Sequence, residues 1–158
     1  MIGAYLRDLW ANDVLWIAIL TSTLAQFLKP FTYWLRTGEL DWHHLAETGG
    51  MPSSHSALVS AVATGVGIEQ GFHSAYFAIA VVLAMIVTYD AAGVRRHAGQ
   101  HAYVINQIIA ELLSGHPIRE THLQEVLGHS RTEVAAGVLF GIAVMLLWKF
   151  ALQPLWLT

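Results

Sequence analysis

Four stretches of this chain are too apolar to be the faces of a soluble fold, and they limit everything else it can be. They run from about Trp10 to Leu28, from Ser53 to Ile68, from Ser74 to Val94 and from about Thr132 to Leu155. A helix needs roughly 20 mostly apolar residues to cross a bilayer. The third and fourth stretches meet this readily. The first meets it with Asp13 placed near an interface. The second is short and rich in small residues (Ala57, Ser60, Ala61, Ala63, Gly65, Gly67), which suits a helix packed among others better than one against lipid. Charged residues make up 12% of the chain, against about a quarter in soluble domains. A length of 158 residues fits one domain. The expectation is therefore all-α: a single domain over 1–158, an integral membrane bundle of four transmembrane helices.

A further, amphipathic helix is expected between the third and fourth spans, from about His97 to Leu113. Val104, Ile105, Ile108, Ile109, Leu112 and Leu113 recur with helical spacing, opposite His97, Gln100, His101, Asn106 and Gln107. Such a helix lies along the membrane surface or covers the bundle. Gly115 and Pro117 then open a polar loop reaching Gly128. Gly137 and Gly141 form a G-x-x-x-G pair on the fourth span, which permits close helix contact. The net charge of −3, with histidine neutral, does not suggest a nucleic-acid partner. The absence of cysteine excludes disulfides and thiolate metal sites. The N-terminus has neither a basic leader nor a clear small-residue cleavage site, so its apolar segment reads as retained.

Following the chain through four spans sorts the charges. Lys29, Arg36, Arg95, Arg96, Arg119 and Arg131 fall on one side, Arg7 and Lys149 on the other. The positive-inside rule makes the first side cytoplasmic and puts both termini outside, as in a protein of the inner (plasma) membrane.

The polar residues of interest gather on that cytoplasmic side. Lys29 and Arg36 follow the first span. Ser53, Ser54 and His55 open the second, after Gly49, Gly50 and Pro52. Asp90, Arg95 and Arg96 close the third. His129 and Glu133 open the fourth. This set suits phosphoryl transfer. Arginine forks neutralise phosphate oxygens, and the outward-facing amides of a helix N-terminus bind anions. The paired glycines let backbone approach closely, and Pro52 suits the start of the helix. His55 would be a proton donor beside this cradle. His129 and Glu133, four apart, share a face if both are helical; a carboxylate on one ring nitrogen leaves the other as a nucleophile. Taken singly, each group has an ordinary explanation. Ser53 or Ser54 serves as a helix cap, His129 and Glu133 as a surface pair, Arg95 and Arg96 as membrane anchors, and Lys29 as a snorkelling end. Asp90 is costly at depth, and its default role is to orient an arginine one turn on. Their shared side joins these groups into one site.

The residues that make up this set resemble a known family. "KPFTYWLR", "PSSH" and "HSRTE" are similar to the three signature motifs of the type 2 phosphatidic acid phosphatase superfamily, which also holds the vanadium haloperoxidases. "GGMPSSHSA", "YDAAGVRRHAG" and "LGHSRTEVAAG" resemble its small divergent bacterial and plastid branch, over about Lys29 to Trp148. The resemblance implies a lipid-phosphate phosphatase that needs no metal or other cofactor. Lys29, Arg36, one of Arg95 or Arg96, and Ser53 with local amides (Ser54 alongside) would hold the phosphate. His55 would protonate the leaving oxygen, His129 would attack phosphorus, and Glu133 would orient His129. The chain departs from the pattern in four places. Thr37 follows Arg36 where proline is usual, Ser54 replaces a common glycine, Glu133 replaces aspartate, and the third motif is split between Arg96 and His129. The split leaves open whether the motif is completed within one chain or across two copies in a homo-oligomer. With a cytoplasmic site, an inner-leaflet intermediate such as phosphatidylglycerophosphate is the expected substrate; undecaprenyl diphosphate and phosphatidate are the alternatives.

Two other classes compete. His97 and His101 are spaced to bind a metal from one helical face, but Ala98 and Gly99 exclude the H-E-x-x-H signature. A non-catalytic membrane bundle, as partner subunit or permease, is the other, although four spans without a repeat do not suit most transporter designs.

Overall fold

The computed structural model describes residues 2–45, 49–113 and 129–156, except the side chains at 94–100, 111–113 and 156. The described residues are helical, with no strand among them. Helix α1 (Ile2–Trp10) is short. Helix α2 (Asp13–Thr37) is followed by a 3-10 turn at Trp42–Leu45. Helices α3 (Ser54–Gln70), α4 (Ala75–Ala92) and α5 (Val94–Leu113) come next. Helix α6 (Arg131–Leu147) runs on through a π-helical turn (Trp148–Leu152) into α7 (Gln153–Trp156).

Three helices among the described residues are long and apolar enough to cross a membrane: Asp13–Thr37, Ala75–Ala92 and Arg131–Leu155. The expected count of four such helices is therefore corrected to three; the remaining one, α3, runs between the same two ends of the bundle but is sheathed by its neighbours. The second expected span forms α3, whose 17 residues rise only about 25 Å. It packs on α2, α4 and α6 and buries Ser54, Ser56, Ala57, Ser60, Ala61, Gly65 and Gly67, among others. Small and hydroxylated residues suit it to protein neighbours on several sides. By contrast, α4 buries only Ala80 and Ala91 and leaves Ile79, Leu83 and Ile86 exposed, as befits a helix against lipid.

The helix ends follow local chemistry. Helix α2 starts where the Asn12 side chain accepts from the Leu15 amide at 3.0 Å. It does not stop near Leu28 but runs through Pro30 to Thr37, closed by Gly38 in the left-handed region at φ +80°. Helix α4 is capped by Ser74. Pro52 stands at the entry to the helix, just before the cap Ser53, and follows a cis peptide bond. Helix α5 begins directly after Gly93 and contacts α4. Its Ala102, Asn106 and Ile109 face inward while Tyr103, Val104 and Ile108 stay exposed. The expected polar loop from Gly115 to Gly128, with Arg119, lies outside the described residues.

Contacts set the helix directions. Gly65, late in α3, sits against Val14 early in α2 and Met145 late in α6. Gly50, just before α3, sits against Lys29. Helices α2 and α3 are thus antiparallel, and α3 and α6 run side by side in the same direction. Val14, Ile17, Ala18, Ala61 and Met145 form the buried apolar core. The start of α3, the start of α6 and the second half of α2 consequently share one end of the bundle.

Candidate active site at the α3–α6 end

At this end, the loop before α3 is fastened on two sides. The Thr32 hydroxyl bridges the carbonyls of Lys29 (2.9 Å) and Met51. The Ser53 amide donates to the Glu133 carbonyl of α6 at 3.0 Å. Gly50, at φ +90°, adopts a conformation that side chains rarely tolerate. A Cβ there would lie 3.5 Å from Lys29 Cδ. The loop backbone therefore passes directly over the lysine stem, and Lys29 is 2% exposed. Lys29 and Arg36 lie within α2, not after it, which corrects their expected position. Seven residues apart, they occupy one helical face about two turns from each other. Arg36 is exposed.

The G-x-x-x-G pair holds the two arms of the site together. A methyl at Gly137 would overlap the Ser53 carbonyl and Ser56 Cβ; one at Gly141 would overlap Ser60 Oγ and the Ala57 carbonyl. The close contact that the pair permits is made within the chain, between α6 and the small-residue stripe of α3.

Ser53 is fully buried and caps α3. Its oxygen accepts from the Ser56 amide at 3.4 Å and lies 3.0 Å from Ser56 Oγ. Ser54, also buried, points elsewhere. It lines a cavity of about 340 Å³ with Ser22, Thr23, Gln26, Phe27 and Leu45. His55 is exposed on the first turn of α3.

His129 and Glu133 meet, but not for the expected reason. His129 precedes the helix, and Ser130 is its N-cap. Ser130 and Glu133 form a capping box: the Glu133 amide donates to Ser130 Oγ (3.3 Å) and the Ser130 amide donates to Glu133 Oε2 (3.0 Å). That same Oε2 lies 3.3 Å from His129 Nδ1. The sequence signal for this was present, since S-x-x-E is legible at Ser130–Glu133. His129 is 2% exposed, and its Nε2 is buried without a hydrogen-bond partner among the described residues. An unsatisfied buried polar atom costs about 1–3 kcal/mol, so it calls for an explanation.

Asp90 is half-buried near the end of α4. Arg95 and Arg96 fall on the first turn of α5, and their side chains, like that of His97, lie outside the described set. Among the described residues no group of three or more His, Cys, Asp or Glu could hold a metal.

The family model described as "Divergent PAP2 family" matches residues 10–144. The chain belongs to that family. The match includes every candidate site residue named above. This divergent PAP2 chain is also 37% identical over 154 residues to an "Uncharacterized membrane protein YuiD" from Bacillus subtilis (strain 168), covering 90% of this chain and 98% of the relative. Family membership and that relative agree with the apolar helices in making this a membrane protein. No solved structure matches the chain.

Proposed function

We propose that this chain is a lipid-phosphate phosphatase working through a phosphohistidine on His129. The observation that carries the reading is the imidazole itself: buried, paired at Nδ1 with Glu133 and, among the described residues, without a partner at Nε2. A carboxylate beside Nδ1 favours the tautomer with its proton there, leaving a lone pair on Nε2. Nε2 attacks phosphorus, and the P–O bond to the lipid alcohol breaks. His55 gives that oxygen its proton. Water then attacks the phosphohistidine, His55 takes the water proton, and inorganic phosphate leaves with Nε2 restored. Lys29, Arg36 and one of Arg95 or Arg96 neutralise the phosphate oxygens. Ser53, whose oxygen already accepts from Ser56, offers its hydroxyl proton. The first-turn amides of α3, that of Ser54 among them, complete the cradle. The whole of 1–158 acts as one phosphatase domain.

The substrate that fits best is phosphatidylglycerophosphate, with the site cytoplasmic, the termini outside and the chain in the inner (plasma) membrane. Lys29, Arg36 and Arg131 share the site end. Only Arg7 and Lys149 fall at the opposite end among the described residues, and this asymmetry of basic residues supports the orientation. A non-catalytic bundle is the second reading. The cap at Ser53 and the capping box give those residues structural work, but they do not account for a buried Nε2 with no partner among the described residues.

Purified protein in lipid vesicles should release inorganic phosphate from one of phosphatidylglycerophosphate, phosphatidate or undecaprenyl diphosphate, without added metal. Release from none of them would overturn the phosphatase reading and favour the non-catalytic one.

A further inference from the structure

The N-terminal helix α1 has no place in the bundle core: none of its nine residues is buried. Its sequence is nevertheless patterned. Ile2, Tyr5, Leu6 and Leu9 recur at i, i+3, i+4 and i+7, with Trp10 beside them, while Ala4, Arg7 and Asp8 take the other face. The stripe is exposed, from 45% at Leu9 to 78% at Ile2. In water such a stripe would be a liability, since apolar surface left in contact with it is costly.

The position of α1 indicates what covers the stripe. Helix α1 ends one turn before α2, which is long and apolar enough to cross the membrane. The break between them is built, not slack. Trp10 and Trp16 stack with centroids 4.8 Å apart, the Trp16 indole donates to the Leu9 carbonyl at 3.0 Å, and Asn12 restarts the helix. Immediately beyond lies Asp13, held by Lys149 and the Trp148 indole. Charges and indoles at one level mark where hydrocarbon gives way to headgroups. The stripe of α1 is thus attached, through a fixed joint, at the depth where amphipathic helices lie.

We infer that α1 is an interfacial anchor: it lies in the membrane plane at the end opposite His129 and Glu133, with Ile2, Tyr5, Leu6 and Leu9 in the acyl–headgroup boundary and Arg7 and Asp8 in water. This inference does not rest on the phosphatase reading.

The chain has no cysteine, so single cysteines report one position each. Leu6→Cys, Leu9→Cys, Ala4→Cys and Asp8→Cys, made in the full chain, leave the bundle core untouched. Each is labelled with an environment-sensitive fluorophore and reconstituted into phosphatidylethanolamine–phosphatidylglycerol nanodiscs. Labels at 6 and 9 should be quenched about fivefold less by iodide than those at 4 and 8, as expected for an interfacial helix, and more by a lipid-borne nitroxide. Equal iodide quenching at all four positions would overturn the inference. So would protection at 6 and 9 that vanishes in discs holding a single chain, because a second copy would then be the cover. Phosphate release measured on the same samples keeps the two readings separable.

Discussion

The two ends of the bundle handle buried polarity in opposite ways. At the far end, Lys149 bonds Asp13 at 2.8 Å and also Glu69, while the Trp148 indole donates to the same Asp13 oxygen at 2.9 Å. The π-helical turn Trp148–Leu152 carries this lysine, which is 9% exposed. Three charges and an indole satisfy one another there. At the α3–α6 end, the Glu133 carboxylate serves two roles at once, closing the capping box and pairing the imidazole, yet Nε2 of His129 has no partner among the described residues. A closed network fixes a fold, whereas an open one stores an unmet hydrogen bond that a ligand can meet. The first arrangement is structural and the second is the place to look for chemistry. Substitutions at the two ends should therefore separate stability from activity.

The largest effect expected is that of His129→Ala. If Nε2 is the nucleophile, phosphate release falls by about a thousandfold or more, while thermal unfolding in detergent barely moves, because the imidazole contributes one weak pair. Single-turnover assays check the first part and scanning fluorimetry the second. A variant with wild-type turnover would erase the distinction between the two ends.

Glu133→Gln sharpens it further. Glutamine still completes a capping box, so the start of α6 holds. The charge that favours the reactive tautomer is gone, and turnover should drop by roughly a hundredfold with the unfolding midpoint nearly unchanged. Equal losses in both measurements would make Glu133 a structural residue only.

At the far end the pattern inverts. Lys149→Met leaves Asp13 and Glu69 facing each other without their cation. Breaking a buried ion pair on one side costs about 3–5 kcal/mol. Glu69 is 38% exposed, so solvent screening brings the expected loss to about 2 kcal/mol. Turnover of the protein that remains folded should stay within about twofold of wild type. Adding Asp13→Asn to Lys149→Met should recover part of the stability.

These contrasts also show what the sequence made legible. The all-α membrane bundle and the apolar helix expected at 74–94 could be read from apolar runs. The number of helices long and apolar enough to cross could not. Helix α3 reads as a weak span because Ser54, Ser56, Ser60, Gly65 and Gly67 lower its hydropathy, and those residues are the ones it uses against its neighbours. Lys29 stood at the edge of the apolar run, but the helix continues past it to Thr37, where Gly38 closes it. The far-end cluster joins residues 136 positions apart, and no local pattern announces such a contact. The capping box was legible, but the spacing of His129 and Glu133 invited a helical-face explanation first.

The smallest effects test the hinge between the two arms. Ser130→Ala removes one half of the capping box and should cost about 1 kcal/mol, with Glu133 still able to reach His129 and turnover lowered only a few-fold. Gly137→Ala acts at the same point from the other side. Its methyl would collide with the Ser53 carbonyl, and overpacking of this kind costs typically 1–3 kcal/mol. Gly141→Ala, one turn deeper, should lose similar stability. The two glycines should differ in turnover, because only Gly137 touches the residue whose amide is bonded to Glu133. If both alanine variants lost activity in the same proportion as they lost folded protein, the site would owe nothing special to the α3–α6 contact at Ser53. A drop confined to Gly137→Ala would show that sub-ångström placement of Ser53 against α6 is part of how this end works.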